Sequence, residues 1–102
     1  MGTTIDDNMQ PQGIGSITTK VLRKVLKENL NTIVKNVRKV PSIGKPIANF
    51  LEKHAKSLID FLDKVEGGAE AALVRFFVNQ GMKESTAEIW ADAIITVVSF
   101  LV

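Results

Sequence analysis

The hydrophobic positions of this 102-residue chain recur every three or four residues over most of its length, which is the period of an amphipathic α-helix. Proline or glycine interrupts the pattern at Pro41, at Gly67-Gly68 and at Gly81. No segment longer than a few residues alternates as a half-buried strand does. The pattern predicts an all-α protein, a compact bundle of four helices at about 17–40, 45–65, 69–80 and 86–101.

The first sixteen residues are rich in Gly, Pro, Asn, Gln and Asp and poor in apolar residues, so they bury too little surface to offset the entropy of ordering. We therefore predict a flexible, disordered tail at 1–16 and a single helical-bundle domain at 17–102. The start has no basic segment leading into an apolar one, as a signal peptide has. No charge-free run approaches the roughly 18 to 20 residues of a membrane span. Localisation stays open between the cytoplasm and export without a conventional signal.

Local signals predict where the helices begin and end. Pro41 is expected to end the first helix, and Gly81 to adopt the left-handed conformation that ends the third. Ser85 with Glu88 three residues later is typical of a capping box and predicts the start of the fourth helix. The β-branched residues at 94–98 favour a strand locally. The capping box and the length of the apolar pattern favour a helix instead.

Charge is concentrated in the first helix, although the formal net charge is only +2. The segment 20–45 contains eight bases and one acid, for a local charge of +7. Five cations opposite the apolar stripe would span about 27 Å on a straight helix. They are the predicted membrane-binding or anion-binding residues, Lys20, Lys24, Lys27, Lys35 and Arg38. An ordinary solvated helix face is the alternative.

The fourth helix is apolar over more than half of its circumference, and 93–102 carries no charge. We predict that Trp90, Ile94, Val97 and Leu101 contact a membrane or a protein partner. Interfacial membrane binding needs cationic attraction and buried apolar area, and these two helices could supply one each. In composition and helix count, the chain resembles the cysteine-free, saposin-like helical bacteriocins. The resemblance implies a small protein that targets anionic membranes by charge and then exposes apolar helices.

The residue inventory argues against catalysis. The chain has no cysteine and one histidine, His54, which lies on an apolar stripe without the partners that zinc or a nucleophile needs. Glu52 and Asp60 precede Lys56 and Lys64 by four residues, which predicts surface ion pairs rather than an acid/base pair. The sequence therefore predicts a non-enzymatic protein with no cofactor and no metal site.

Two other function classes stay open. A helical protein-protein interaction module, of immunity, adaptor or oligomerising type, would cover its excess apolar surface with a partner or a second copy. A non-specific nucleic-acid binder acting through the first helix is the third class. The segment 73–92 has the outline of a helix-turn-helix, but Glu84, Glu88 and Asp92 on its second helix would repel phosphates. Sequence-specific DNA binding is therefore disfavoured.

Overall fold

The computed structural model describes residues 17–102, and in that range it contains four α-helices and no strand, as the apolar pattern predicts. The helices are α1 (Thr19–Val37), α2 (Gly44–Lys64), α3 (Ala69–Asn79) and α4 (Glu84–Ser99). The prediction of a disordered tail at 1–16 concerns residues outside the described range.

The bundle is built from two helical hairpins. α1 packs chiefly on α2, and α3 packs chiefly on α4, while α1 also contacts both helices of the second hairpin. All four helices contribute to one apolar core, in which the largest fully buried side chains include Leu26, Leu58, Phe77 and Ile94. The period of three to four residues thus orients each stripe toward a common interior, where burial of apolar surface stabilises the fold.

Both long helices are kinked near their middle. Asn29 in α1 has φ −134° and ψ 31°, and His54 in α2 has φ −117° and ψ 15°. Neither site contains Pro or Gly, and nothing in the structure explains either kink. Each helix therefore consists of two straight segments, which a pattern based on one uninterrupted helix does not predict.

The entry into α1 is an extended segment, and the helix begins at Thr19, two residues after the predicted position. Ile17 is buried, and its carbonyl accepts a hydrogen bond from Ala69 N at 2.8 Å. Thr19 N donates to Gly67 O at 3.0 Å. These two bonds tie the start of α1 to the α2–α3 connection, because the backbone groups ahead of a first helical turn need partners from elsewhere.

The other helix ends lie within three residues of their predicted positions. α1 ends at Val37, before Pro41, and the chain turns back through Ser42, which has a φ of 71°. Gly81 has a φ of +97°, which confirms the predicted left-handed stop. The predicted capping box at Ser85 is wrong, because α4 already begins at Glu84 after Lys83 and has no side-chain cap. Its first turn is closed by the backbone bond from Ala87 N to Lys83 O at 2.8 Å.

Candidate functional site

The five cations predicted to bind an anionic surface are all exposed on the outside of the bundle. They are Lys20, Lys24, Lys27, Lys35 and Arg38, hereafter the basic face of α1. The buried residues of α1 lie on the opposite side of the helix, because one amphipathic stripe can face only one core. The kink at Asn29 divides the basic face into three lysines before it and Lys35 with Arg38 after it.

The arginines of α1 bind α2, whereas its lysines do not. Arg23 Nε lies 3.6 Å from Asp63 Oδ1, and Arg38 Nη2 lies 3.3 Å from Glu52 Oε1. Arg38 also donates from Nη1 to Asn49 Oδ1 at 3.3 Å. Among residues 17–102, no lysine of α1 has a carboxylate oxygen within 4.0 Å of its ammonium group. The four lysines of the basic face therefore keep a charge that no carboxylate of the described range pairs with.

The ion pairs predicted within α2 are wrong over the described range. Glu52 pairs with Arg38 across the hairpin instead of with Lys56, and Asp60 has no ammonium group of Lys64 within 4.0 Å. Antiparallel packing brings the arginines of α1 alongside the carboxylates of α2, and a guanidinium matches a carboxylate better than an ammonium does. Sequence spacing along one helix could not show a partner on the neighbouring helix.

A surface groove of about 420 Å³ runs between the first half of α1 and the end of α2. Its basic lining comes from the three lysines of the basic face before the kink and from Arg23. Glu28, Asp63 and Glu66 line it as well, so carboxylates alternate with the cations inside the groove. An anion that approaches this groove meets both signs of charge, because Glu28, Asp63 and Glu66 are exposed as the lysines are.

The four apolar residues predicted to contact a membrane or a partner are not equally accessible. Ile94 is fully buried, and Trp90 and Val97 are half-buried against the core. Trp90 packs edge-on against Phe50 and Phe77, with ring centroids 5.8 and 5.6 Å away.

Leu101, the fourth of these residues, is exposed in the folded chain. Contact through Ile94 would require the bundle to open, whereas contact through Leu101 would not. None of the helices in the described range combines the length and apolar content that crossing a bilayer requires.

The exposed side of the α3–α4 hairpin carries the opposite charge. The pKa of the Glu70 carboxyl is raised above its ordinary value, first by burial and then by repulsion from Asp92 and Glu88. These three carboxylates come from both helices of the hairpin. A polyanion would be repelled from this side, as the sequence predicts for the outlined helix-turn-helix.

The single histidine lies at the kink of α2, where it is half-buried with its ring centroid 4.4 Å from that of Phe50. This placement agrees with the position of His54 on the apolar stripe of α2. Over the described residues, no three His, Asp or Glu side chains are grouped so that they could hold a metal ion.

Comparison with known families adds one match. The family described as "Uncharacterised protein YqxI" matches residues 11–101. The chain belongs to this family. No curated protein and no solved structure matches it. The matched range of this YqxI-family chain contains all four helices, the basic face of α1 and the four apolar residues predicted to contact a membrane or a partner.

Proposed function

We propose that this protein is a small, non-enzymatic helical protein that binds anionic membrane surfaces through the basic face of α1. The observation that carries the proposal is that four exposed lysines share one face of a helix whose single acid is Glu28, and that none of them pairs with a carboxylate among residues 17–102. The exposed lysines of α2 pair with no carboxylate among residues 17–102 either, but that helix carries three acids, Glu52, Asp60 and Asp63. Among residues 17–102, the arginines of α1 pair with acids of α2, and the lysines of the basic face stay available to an external anion.

The expected strength follows from the number of cations. A lysine close to an anionic leaflet contributes about 1 kcal/mol, and the contribution falls off within a Debye length of roughly 10 Å at 0.1 M salt. Three lysines precede the kink, at spacings of four and three residues, so they project from the same side of one helical segment. They are expected to contribute up to about 3 kcal/mol, or roughly a hundredfold in affinity.

Vesicle sedimentation tests the proposal. The protein is mixed with phosphatidylcholine vesicles, with or without phosphatidylglycerol, and the bound fraction is measured at low and high salt. The triple variant Lys20→Gln/Lys24→Gln/Lys27→Gln is expected to lose most of the binding to anionic vesicles, and its melting temperature is expected to stay close to that of the unmodified chain. Binding of the unmodified chain is expected to weaken as salt rises.

A matched control removes the same charge from another helix. Lys53, Lys56 and Lys64 are exposed on α2, and replacing them with Gln lowers the net charge by the same three units. The control is expected to bind anionic vesicles far better than the α1 variant. Equal loss in both variants would mean that only net charge matters, and undiminished binding by the α1 variant would contradict the proposal.

A finer proposal is that the protein also permeabilises the membrane, as its resemblance to helical bacteriocins implies. Permeabilisation would need α4 to leave the core, because Ile94, Ile95 and Val98 are fully buried there. Release of a trapped dye from anionic vesicles measures it directly. Binding without dye release would restrict the function to surface attachment.

The second candidate is a helical protein-protein interaction module, favoured by a separate apolar surface. A groove of about 520 Å³ lies between α3 and α4, with Val74 and Val78 among its lining residues and Glu84 and Glu88 beside them. Val78 on its own is 40% exposed. Sizing the protein over a range of concentrations, with and without Val78→Ser, tests whether this groove holds a second copy. A dimer that dissociates in the variant and ignores lipid would favour this class.

A further inference from the structure

The ends of α1 and α4 meet at one corner of the bundle, where large apolar side chains stay uncovered. Asn36 of α1 and Val97, Phe100 and Leu101 line a surface groove of about 420 Å³, hereafter the C-terminal corner. Phe100 is 83% exposed, the highest value for a large hydrophobic residue within 17–102. Leu101 and Val102 are exposed beside it.

Backbone hydrogen bonds fix the position of these side chains, which lie outside the apolar core. Phe100 N donates to Val97 O at 3.1 Å, and Leu101 N donates to Val98 O at 2.8 Å, so the chain continues in helical turns past Ser99. Val98 is fully buried, whereas Phe100 two residues later points to solvent. Phe100 and Leu101 thus form a defined apolar projection rather than part of the core.

The residues that line the C-terminal corner are uncharged, and the α1 segment that contributes Asn36 is basic. From the kink of α1 to Val40 the chain carries Lys35, Arg38 and Lys39 and no acid, and 93–102 carries no acid either. Arg38 is paired with Glu52. Lys35 and Lys39 are exposed, one residue before Asn36 and three residues after it. Neither ammonium group has a carboxylate oxygen within 4.0 Å among residues 17–102.

Two exposed apolar residues of the α3–α4 hairpin, Ile89 and Val78, have the opposite setting, whereas Val21 of α1 directly follows Lys20. Ile89 is 56% exposed but follows Glu88 directly, and Val78 lines a groove that contains two acids, Glu84 and Glu88, against one base, Arg75. An anionic bilayer would be repelled there and attracted at the C-terminal corner. Of the two apolar surfaces, the C-terminal corner is therefore the one whose surrounding charge is complementary to an anionic lipid.

We infer that the C-terminal corner is the point at which the folded protein enters the interface of an anionic bilayer. Phe100 and Leu101 insert at the boundary between headgroups and acyl chains, and Lys35 and Lys39 bind the lipid phosphates around them. The inference rests on the proposed function and adds the orientation of the bound molecule. The core stays closed, because the inserted side chains are already outside it.

Phe100→Ser tests the insertion. Burying a phenylalanine side chain is worth enough that its loss is expected to lower the partition onto phosphatidylcholine–phosphatidylglycerol vesicles by about tenfold or more. Ile89→Ser is the matched control, since it removes an exposed apolar side chain from α4 on its acidic side, and it is expected to bind as the unmodified chain does. Circular dichroism melts of both variants check that each keeps the bundle.

Tryptophan fluorescence tests the orientation, because Trp90 is the only tryptophan and the chain has no tyrosine. In the unmodified chain bound to vesicles with brominated acyl chains, Trp90 is expected to resist quenching, since it stays packed against Phe50 and Phe77. In the double variant Trp90→Phe/Phe100→Trp, the new indole is expected to shift to the blue on binding and to be quenched strongly.

The failures of the two proposals are distinguishable. No binding of the unmodified chain to anionic vesicles would overturn the proposed function and this inference together. Binding that Phe100→Ser leaves unchanged would overturn the inference alone. Strong quenching of Trp90 in the unmodified chain would overturn it as well, because the bundle would then open. A dimer in lipid-free buffer that Phe100→Ser dissociates would assign the corner to a second copy and would also overturn the inference.

Discussion

The hydroxyl of Thr19 is expected to contribute measurably to the stability of the fold, because it bonds α1 to the end of α2. Thr19 is the one polar residue in the buried part of the described chain, with 1% of its surface exposed. Its Oγ1 donates to Val65 O at 3.1 Å, and the two residues are 46 positions apart in sequence. Thr19→Val keeps the shape of the side chain and removes only the hydroxyl donor. The part-buried carbonyl of Val65 then loses this hydrogen bond.

Because the Val65 carbonyl is only part-buried, losing this hydrogen bond is expected to cost about 1 kcal/mol. The replacement itself changes helix propensity little, because valine and threonine rank together. For a domain of this size, each kcal/mol lowers the melting temperature by roughly 4–8 °C. Thr19→Val is therefore expected to melt at least about 4 °C below the unmodified chain.

Thermal unfolding followed by circular dichroism at 222 nm provides the measurement. Thr32→Val is the matched control, since Thr32 is exposed on the same helix and makes its hydrogen bond to Asn36 through its backbone carbonyl. The control is expected to melt within about 2 °C of the unmodified chain. If Thr19→Val and Thr32→Val melted at the same temperature, the bond to Val65 would contribute nothing to stability.

Two further predictions concern packing and pH. Gly44→Ala is expected to destabilise the protein by about 1–3 kcal/mol or more, because a Cβ there would lie under 3.0 Å from the backbone oxygens of Val37 and Arg38. Gly68→Ala, which places a Cβ in open space, is the control, and equal melting of the two variants would contradict the assigned close approach. The raised pKa of Glu70 means that the folded state binds more protons, so stability from this group falls as pH rises through that pKa. Denaturant titrations of Glu70→Gln are expected to show less loss of stability between acid and neutral pH, and an unchanged pH profile would refute the burial and repulsion assigned to it.

The residues that the sequence predicts as a basic face are exposed in the fold, and the reason is local. Amphipathic periodicity fixes which side of a helix faces the core, so Lys20 and Lys24 had to point away once Leu22 and Leu26 pointed inward. The partners of Arg23 and Arg38 were beyond this reasoning, because they come from α2 and depend on the register of the hairpin. The projection of Phe100 was missed for the same reason, since its neighbour across the groove is Asn36 of α1.

The sequence by itself determined the helix count, the four apolar stripes and the stop at Gly81, because these follow from residue spacing and from the conformational freedom of single residues. Tertiary structure alone decided the extended entry of Ile17, the bond from Thr19 to Val65, the close approach at Gly44 and the pairing of arginines across α1 and α2. Each of these joins groups that are distant in the chain or belong to different helices. Their energies come from packing and hydrogen bonding across that distance, which a pattern along one helix does not contain.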